Sequence, residues 1–200
     1  MIVDRLGRQF RNLRVSLTAA CNYACTYCVP DGKRLLRVQN ELSAIELLKA
    51  IALLQQASGI DQVRITGGEP LVTPKFDQFL LGVMQLPLKD VSLTTNGQLI
   101  LDKRDVIVDS GINRINISLD TLNPARFKRI MRGGDLDTVQ KGIDSMLDAG
   151  IRVKINMVPL RSQNAGEIIP MLDYCLDRNI ELRYIELMRM GHLLQGNSFQ

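Results

Sequence analysis

Short β-rich segments alternate with helical patterns along almost the whole chain, and that rhythm restricts the available folds more than any other feature. The β segments span residues 13–17, 62–66, 90–94, 113–119, 152–158 and 181–187. Between them the helical signals are specific. Ser43 with Glu46 forms a capping box, Ile45, Leu48, Ile51 and Leu54 or near neighbours lie on one stripe, and Gly59 ends that helix. Asn123 followed by Pro124 reads as N-cap and N1, and Asn164 with Glu167 repeats the capping-box signal ahead of Ile168, Leu172, Cys175 and Leu176. The order is β-α six times over with the last helix missing, which predicts a parallel sheet covered by helices on its outer face.

Parallel strands buried on both faces read as continuous apolar runs, yet here one parity of each strand is polar. Arg14 and Ser16 alternate with Leu13, Val15 and Leu17; Arg64 and Thr66 with Val63 and Ile65; Ser92 and Thr94 with Val91 and Leu93. Asn116 and Ser118, then Lys154 and Asn156, continue the pattern, while in the sixth segment Arg183 shares its parity with Ile185. Side chains alternate faces along a strand, so five strands turn a polar set inward and an apolar set toward the helices. Closed eight-stranded barrels are packed with branched apolar residues, so the expected fold is a partial (β/α)6 TIM-type barrel whose lumen holds a ligand. Arg14, Arg64 and Lys154 would converge there without carboxylates beside them, an arrangement suited to a triphosphate or carboxylate.

Composition removes several function classes. A single histidine, His192, excludes metalloprotease pairs and Cys2His2 fingers, and it stands eight residues from the end. Tryptophan is absent and aromatics are 4%, against a stacking platform for single-stranded nucleic acid. Lys and Arg number 25 against 21 Asp and Glu, spread without blocks, which predicts neither a nucleic-acid partner nor a membrane surface. Neither a long apolar run nor a signal-peptide core is visible, so the expectation is a soluble, cytoplasmic protein of one domain over residues 1–200.

Three of the four cysteines, Cys21, Cys25 and Cys28, form C-x3-C-x2-C directly after the first β segment. That spacing is too tight for a disulfide framework and suits a metal site in a reducing compartment. Three thiolates fall one short of a closed zinc or iron-sulfur site, leaving a position for a non-protein ligand. Cys175 lies about 150 residues away on an amphipathic helix and reads as a small core hydrophobe. A second motif, Gly67-Gly68-Glu69-Pro70, follows the second β segment, where glycines allow close backbone approach to a ligand.

The cysteine triplet with Tyr27 resembles the signature of the radical S-adenosylmethionine (SAM) enzymes, and Gly67-Gly68-Glu69-Pro70 resembles their turn that receives the SAM amino group. Between about Asp4 and Gly191, the motifs Leu13-Arg-Val-Ser16, Arg64-Ile-Thr-Gly-Gly-Glu-Pro70, Leu93-Thr-Thr-Asn-Gly97, Arg114-Ile-Asn-Ile-Ser-Leu-Asp120, Lys154-Ile-Asn-Met157 and Leu182-Arg-Tyr-Ile-Glu-Leu-Met188 look like the GTP 3',8-cyclases of molybdenum-cofactor biosynthesis. The resemblance implies a 4Fe-4S cluster on Cys21, Cys25 and Cys28, chelated by SAM at its fourth iron. It assigns Tyr27, Gly67, Gly68, Glu69, Thr94, Asn96, Ser118 and Met188 to SAM, and Arg14, Arg64, Lys154 and Arg183 to GTP. It further implies a lyase that generates a 5'-deoxyadenosyl radical, with a reductant such as flavodoxin and a homodimeric assembly.

This chain departs from the family in several places. Ala19-Ala20 stands where the family carries Asp-Arg, and Ala24 where it commonly has Arg. The family's C-terminal part, with three cysteines for a second cluster that binds the guanine, is not among these 200 residues. The expectation is therefore an N-terminal portion of a longer protein, incomplete without that part, or a paralogue with another substrate. Two alternatives stand beside the cyclase reading: a radical SAM enzyme acting on a peptide or other small molecule, and a non-enzymatic module whose cysteines hold zinc. Glu69, Asp120 and Glu186 sit near the same rim as groups that orient a cation or cap a helix.

Overall fold

A computed structural model of the chain describes residues 2–187 apart from 30, 34 and 37. Met188, His192 and the polar stretch 195–200 lie outside the described residues. The chain opens with an antiparallel hairpin of β1 (Ile2–Val3) and β2 (Gln9–Phe10). The Asp4 carboxylate closes its turn by accepting from the Leu6 and Arg8 N–H groups, both at 2.9 Å. Sequence reading took this stretch only as mixed charge, because two-residue strands carry no periodicity.

Six parallel strands follow in one sheet, ordered as in the sequence: β3 (Asn12–Ser16), β4 (Gln62–Thr66), β5 (Asp90–Thr95), β6 (Arg114–Ser118), β7 (Arg152–Met157) and β8 (Glu181–Tyr184). They fall within a residue or so of the expected segments, except that the sixth ends at Tyr184 and not at Leu187. Among the described residues β3 and β8 each pair on one side only, so the sheet is open at both edges. The alternation works as the polar parity requires. Val63, Ile65, Leu93, Ile115, Ile117 and Ile155 are fully buried on the helical side. Burial of such side chains stabilises the fold by about 1.5–3 kcal/mol each.

The helices are α1 (Ala44–Ser58), α2 (Phe76–Met84), α3 (Arg104–Asp109), α4 (Pro124–Met131), α5 (Leu136–Asp148) and α6 (Ile168–Asp177). The capping box on α1 is present, with Ser43 and Glu46 bonding reciprocally, and Gly59 ends the helix at φ 73°. Its buried line is Ala44, Ile51 and Ser58 with Leu48 partly covered, while Ile45 and Leu54, at the two margins of the expected stripe, are exposed. Leu48 packs closely on α2: a Cβ on Gly82 would stand 2.4 Å from Leu48 Cδ1, so Leu48 fills the space that glycine leaves. Asn123 caps α4 as expected, with Pro124 at its first turn.

Asn164 and Glu167 do not form a capping box. The Asn164 carboxamide is buried and accepts from Leu160 N–H while donating to the carbonyls of Asp120 and Val158. The Glu167 carboxylate accepts from Thr121, Leu122 N–H and Arg126. Loop groups that would otherwise be buried without partners claim both side chains. On α6 the buried residues are Met171 and Cys175, whereas Leu172 and Leu176 are exposed. No helix among the described residues is long and apolar enough to cross a membrane.

The narrow buried face of α1 has a measurable consequence. In urea denaturation Ile51→Ala is expected to cost about 2–5 kcal/mol, whereas Ile45→Ala should stay within about 0.5 kcal/mol of wild type. Equal losses would place the buried stripe where the sequence pattern alone puts it.

Candidate active site

The loop carrying the cysteines leaves β3 and runs directly beside the Gly67-Gly68-Glu69-Pro70 turn at the end of β4. The parallel ladder continues past both strands: Leu17 N–H donates to Thr66 C=O at 2.9 Å, Gly68 N–H to Thr18 C=O at 2.7 Å, and Glu69 N–H to Ala20 C=O at 2.8 Å. A Cβ on Gly68 would lie 2.3 and 2.4 Å from the carbonyl oxygens of Ala20 and Ala19, and one on Gly67 would lie 2.7 Å from that of Thr18. Backbone contact this close is open only to glycine. Ala19 and Ala20 take part through their main chain. An ion-pair network is nevertheless present there, because Glu41 accepts from Thr18 Oγ1 and Ala19 N–H and pairs with Lys75 at 3.3 Å. Desolvation works to raise the Glu41 carboxyl, but these bonds and the Lys75 charge hold it down at about 2.

The far side of the cysteine loop hangs from the end of α4. Ala24 and Thr26 donate their N–H groups to the carbonyls of Met131 and Ile130 at 3.0 and 2.9 Å, groups that a helix C-terminus leaves free. Tyr23 packs edge-on against Phe127, and its hydroxyl donates to Gln98 Oε1 at 2.8 Å. Gln98 Oε1 also accepts from Asp135 N–H. The turn after α4 must come close here, since a Cβ on Gly134 would stand 2.3 Å from that oxygen and 2.4 Å from the Tyr23 ring. Sequence reading missed Gln98, Glu41 and Met131; the Gly133-Gly134 doublet was the available signal of close approach.

Two buried carboxylates tie the loop to the strand ends. Glu69 accepts from Leu71 N–H, Thr95 Oγ1 and Asn96 N–H at 3.0, 2.7 and 2.7 Å. Its side chain is thus spent inside the protein, capping the short 3-10 turn Pro70–Val72 and fixing Asn96. Burial pushes its carboxyl up to about 7 despite those three bonds. Asp120 accepts from Val158 N–H and from the Tyr27 hydroxyl, both at 2.7 Å, and burial lifts it to about 6. Asn96 Nδ2 in turn donates to Asn22 Oδ1 at 2.7 Å, inside the cysteine loop.

These contacts shape a cavity of about 300 Å3 onto which Cys21, Cys25 and Cys28 open together with Tyr27, Gly67, Gly68, Glu69, Thr94, Asn96 and Ser118. Every described residue that the resemblance assigned to SAM is therefore on one chamber; Met188 lies outside the described residues. The cysteines are free thiols. Burial, and then the neighbouring thiols and Asp120, push Cys25 and Cys28 above the usual thiol range. Thiolates so placed need a positive centre beside them. Among the described residues no group of three or more His, Cys, Asp or Glu side chains is arranged to hold a single metal ion. A donor set of three thiols on one chamber, with hydroxyl, amide and glycine groups as its other walls, fits an iron-sulfur cluster whose last ligand is a small molecule. Cys175 is 1% exposed in the core and takes no part.

A second cavity, of about 230 Å3, adjoins the first within the lumen and is lined by Arg14, Arg64, Arg114 and Arg183. Thr66, Thr94 and Ser118 line both cavities and so form their common wall. Lys154 differs from expectation. It forms an ion pair with Glu181 and lines a third cavity of about 340 Å3 with Arg114, Arg152 and Arg178, so it is not a cation without a carboxylate beside it. The reason is register, which sets Lys154 directly opposite Glu181 on β8. Arg114, which sequence reading passed over, stands in the lumen where Lys154 was expected. Glu186 is exposed.

A family model of the radical SAM superfamily matches residues 15–175, and the chain belongs to that superfamily. Within it, the chain is 40% identical over 98% of its length to the GTP 3',8-cyclase of Sulfurovum sp. and 38% identical over 98% to GTP 3',8-cyclase 1 of Pseudomonas aeruginosa. It spans 60% and 61% of the lengths of those two proteins. Among solved structures, Streptococcus suis SuiB bound to S-adenosylmethionine superposes with a TM-score of 0.79 at 21% identity, covering 96% of this chain and 43% of that one. SuiB bound to its precursor peptide SuiA gives 0.77 at 22%, over 90% and 40% of the two chains. These structures share the fold of a six-stranded parallel sheet with its helices.

Two tests follow from the geometry. Gly68→Ala should separate the two loops and abolish SAM binding, while Gly166→Ala, where a Cβ meets nothing within 4 Å and the backbone is not left-handed, should leave it intact. Retained SAM affinity in Gly68→Ala would contradict the close approach. Asp120 carries a raised folded-state pKa of about 6 against an ordinary value of 3.8, so the native state binds the extra proton. Its contribution to stability is full below about pH 4 and is lost as pH rises through about 6. Asp120→Asn keeps an acceptor for Val158 and can donate to Tyr27, and it should remove this part of the pH dependence of unfolding.

Proposed function

We propose that this chain is the SAM-cleaving core of an enzyme that cyclises GTP in molybdenum-cofactor biosynthesis. The observation that carries the reading is the common wall of Thr66, Thr94 and Ser118 between a three-thiol chamber and a chamber of four arginines. Cys21, Cys25 and Cys28 would hold a 4Fe-4S cluster, and the chamber they line would hold SAM. When bound, the cluster would pass one electron from a reductant such as flavodoxin to SAM, whose cleavage to methionine would supply a 5'-deoxyadenosyl radical for hydrogen abstraction.

The protein's own residues do the rest. Gly67 and Gly68 bring main chain against the cysteine loop, and Glu69 holds Asn96 in place for the adenosine end; Tyr27, Thr94, Ser118 and Met188 complete the SAM side. Arg14, Arg64 and Arg183 bind the triphosphate, with Lys154 adding its charge from the adjoining cavity. Arginine suits this task, since its planar fork pairs two phosphate oxygens at once. Where the two cavities join beside the small side chains of Thr66, Thr94 and Ser118, radical and ribose can come into van der Waals contact with water kept out. The family's guanine-binding cysteines are not among these 200 residues, so this chain by itself should bind GTP and ATP alike.

Anaerobically reconstituted protein is expected to carry one oxygen-sensitive cluster, lost in Cys21→Ala, Cys25→Ala or Cys28→Ala and kept in Cys175→Ala. SAM should alter the electron paramagnetic resonance spectrum of the reduced cluster. In calorimetric titration Arg64→Ala should weaken GTP binding roughly ten-fold to a hundred-fold, corresponding to about 1.5–3 kcal/mol. A spectrum indifferent to SAM would sink the radical chemistry; absence of any nucleotide binding would point to another substrate.

A further inference from the structure

Strand register sets Arg14 beside Arg64, Arg64 beside Ser92, and Leu93 beside Ile115, which puts Ser92 next to Arg114. Arg14, Arg64, Ser92 and Arg114 thus form one row across four adjacent strands on the luminal face. The row lies two residues, about 7 Å, below Thr66 and Thr94 in the common wall. Arg114 is held by Asp90, whose Oδ2 accepts from Nη2 at 2.5 Å. Its Nε is buried and has no partner.

That atom has company. Arg64 Nε, Ser92 Oγ and Asn156 Oδ1 are also buried without partners, so four of the seven such atoms among the described residues belong to side chains that line this one cavity. Buried polar groups are normally bonded, and a concentration of exceptions marks a place where a ligand completes the bonding. Two of the four are guanidinium donors, the Ser92 hydroxyl can donate, and the Asn156 amide can present either end. The wall is therefore rich in donors and positive charge, which selects an anion with several oxygens.

We propose that Arg114 is a phosphate-binding residue that, with Ser92, receives the terminal phosphate of a nucleoside triphosphate at the base of the lumen. The inference rests on reading the lumen as a nucleotide site and adds to it a contact that discriminates chain length. The sugar lies at the wall of Thr66, Thr94 and Ser118, and the polyphosphate runs down to the row. Asp90 positions the guanidinium; because it is also a negative charge beside the site, it works against the anion's affinity.

The test is calorimetry on the reconstituted chain with inorganic triphosphate and pyrophosphate as probes. Arg114→Gln should weaken triphosphate binding roughly ten-fold to a hundred-fold and pyrophosphate binding much less. Asp90→Asn keeps an acceptor for Nη2 and removes the charge, so it should bind triphosphate at least as tightly as wild type. A purely structural ion pair predicts the opposite, with both variants weakened alike. Arg114→Lys, which keeps the charge, should fall between wild type and Arg114→Gln; where Arg114→Gln does not fold, Arg114→Lys and Asp90→Asn decide the matter by their opposite signs. Unchanged binding in the Arg114 variants, with loss in Arg64→Ala, would overturn this inference and leave the nucleotide reading standing. No triphosphate binding by wild type would overturn both.

Discussion

Backbone contact between residues 18–20 and 67–69 underlies the site as a whole. Two loops from adjacent strands are brought together without side chains between them, and the hydrogen bonds Gly68 to Thr18 and Glu69 to Ala20 carry the ladder beyond the sheet. Because the sheet edges are rigid, this sets where the cysteine loop starts. The carbonyl ends of α4 set where it passes on the far side. A loop of irregular conformation is thereby held from two directions, and its three thiols are turned to one chamber. The buried carboxylates Glu69 and Asp120 complete the frame by tying the ends of β5 and β7 to it.

Electrostatics divide the lumen. On one side stand three thiols near two buried carboxylates, an environment that disfavours further negative charge until a cation arrives. On the other stand four guanidinium groups; among the described residues Arg114 forms an ion pair with Asp90, and the charge of Glu181 acts on Arg183 and Arg114 as well. On the proposed reading, a cationic cofactor and a polyanionic substrate would each be drawn to the chamber of opposite character. The neutral hydroxyl groups of Thr66, Thr94 and Ser118 are where the two meet.

Much of this was legible in the sequence. Strand parity exposed the polar lumen because period two is strict in a sheet, and the cysteine and glycine motifs are local in sequence, so the chamber they form could be expected. What escaped depends on registers between distant segments. Parity alone places Lys154 in the lumen, but the β7–β8 register puts Glu181 opposite it; the registers from β3 to β6 put Arg114 in a row with Arg14 and Arg64. Spacing puts Ile45, Leu48, Ile51 and Leu54 on one stripe, yet only Leu48 and Ile51 at its centre are covered, and Ile45 and Leu54 at its margins are exposed. Asn164 and Glu167 matched a capping box in spacing, while the loop beside them needed their polar atoms more.

If SAM and GTP occupy the adjoining chambers, an anaerobic crystal structure of the reconstituted protein with both bound tests it most directly. The methionine end of SAM should lie beside Gly67 and Gly68, the triphosphate among Arg14, Arg64 and Arg183, and the adenosyl 5' carbon in van der Waals contact with the ribose where the two chambers join beside Thr66, Thr94 and Ser118. Phosphate density in the cysteine chamber, or side chains standing between the 5' carbon and the ribose, would contradict this arrangement.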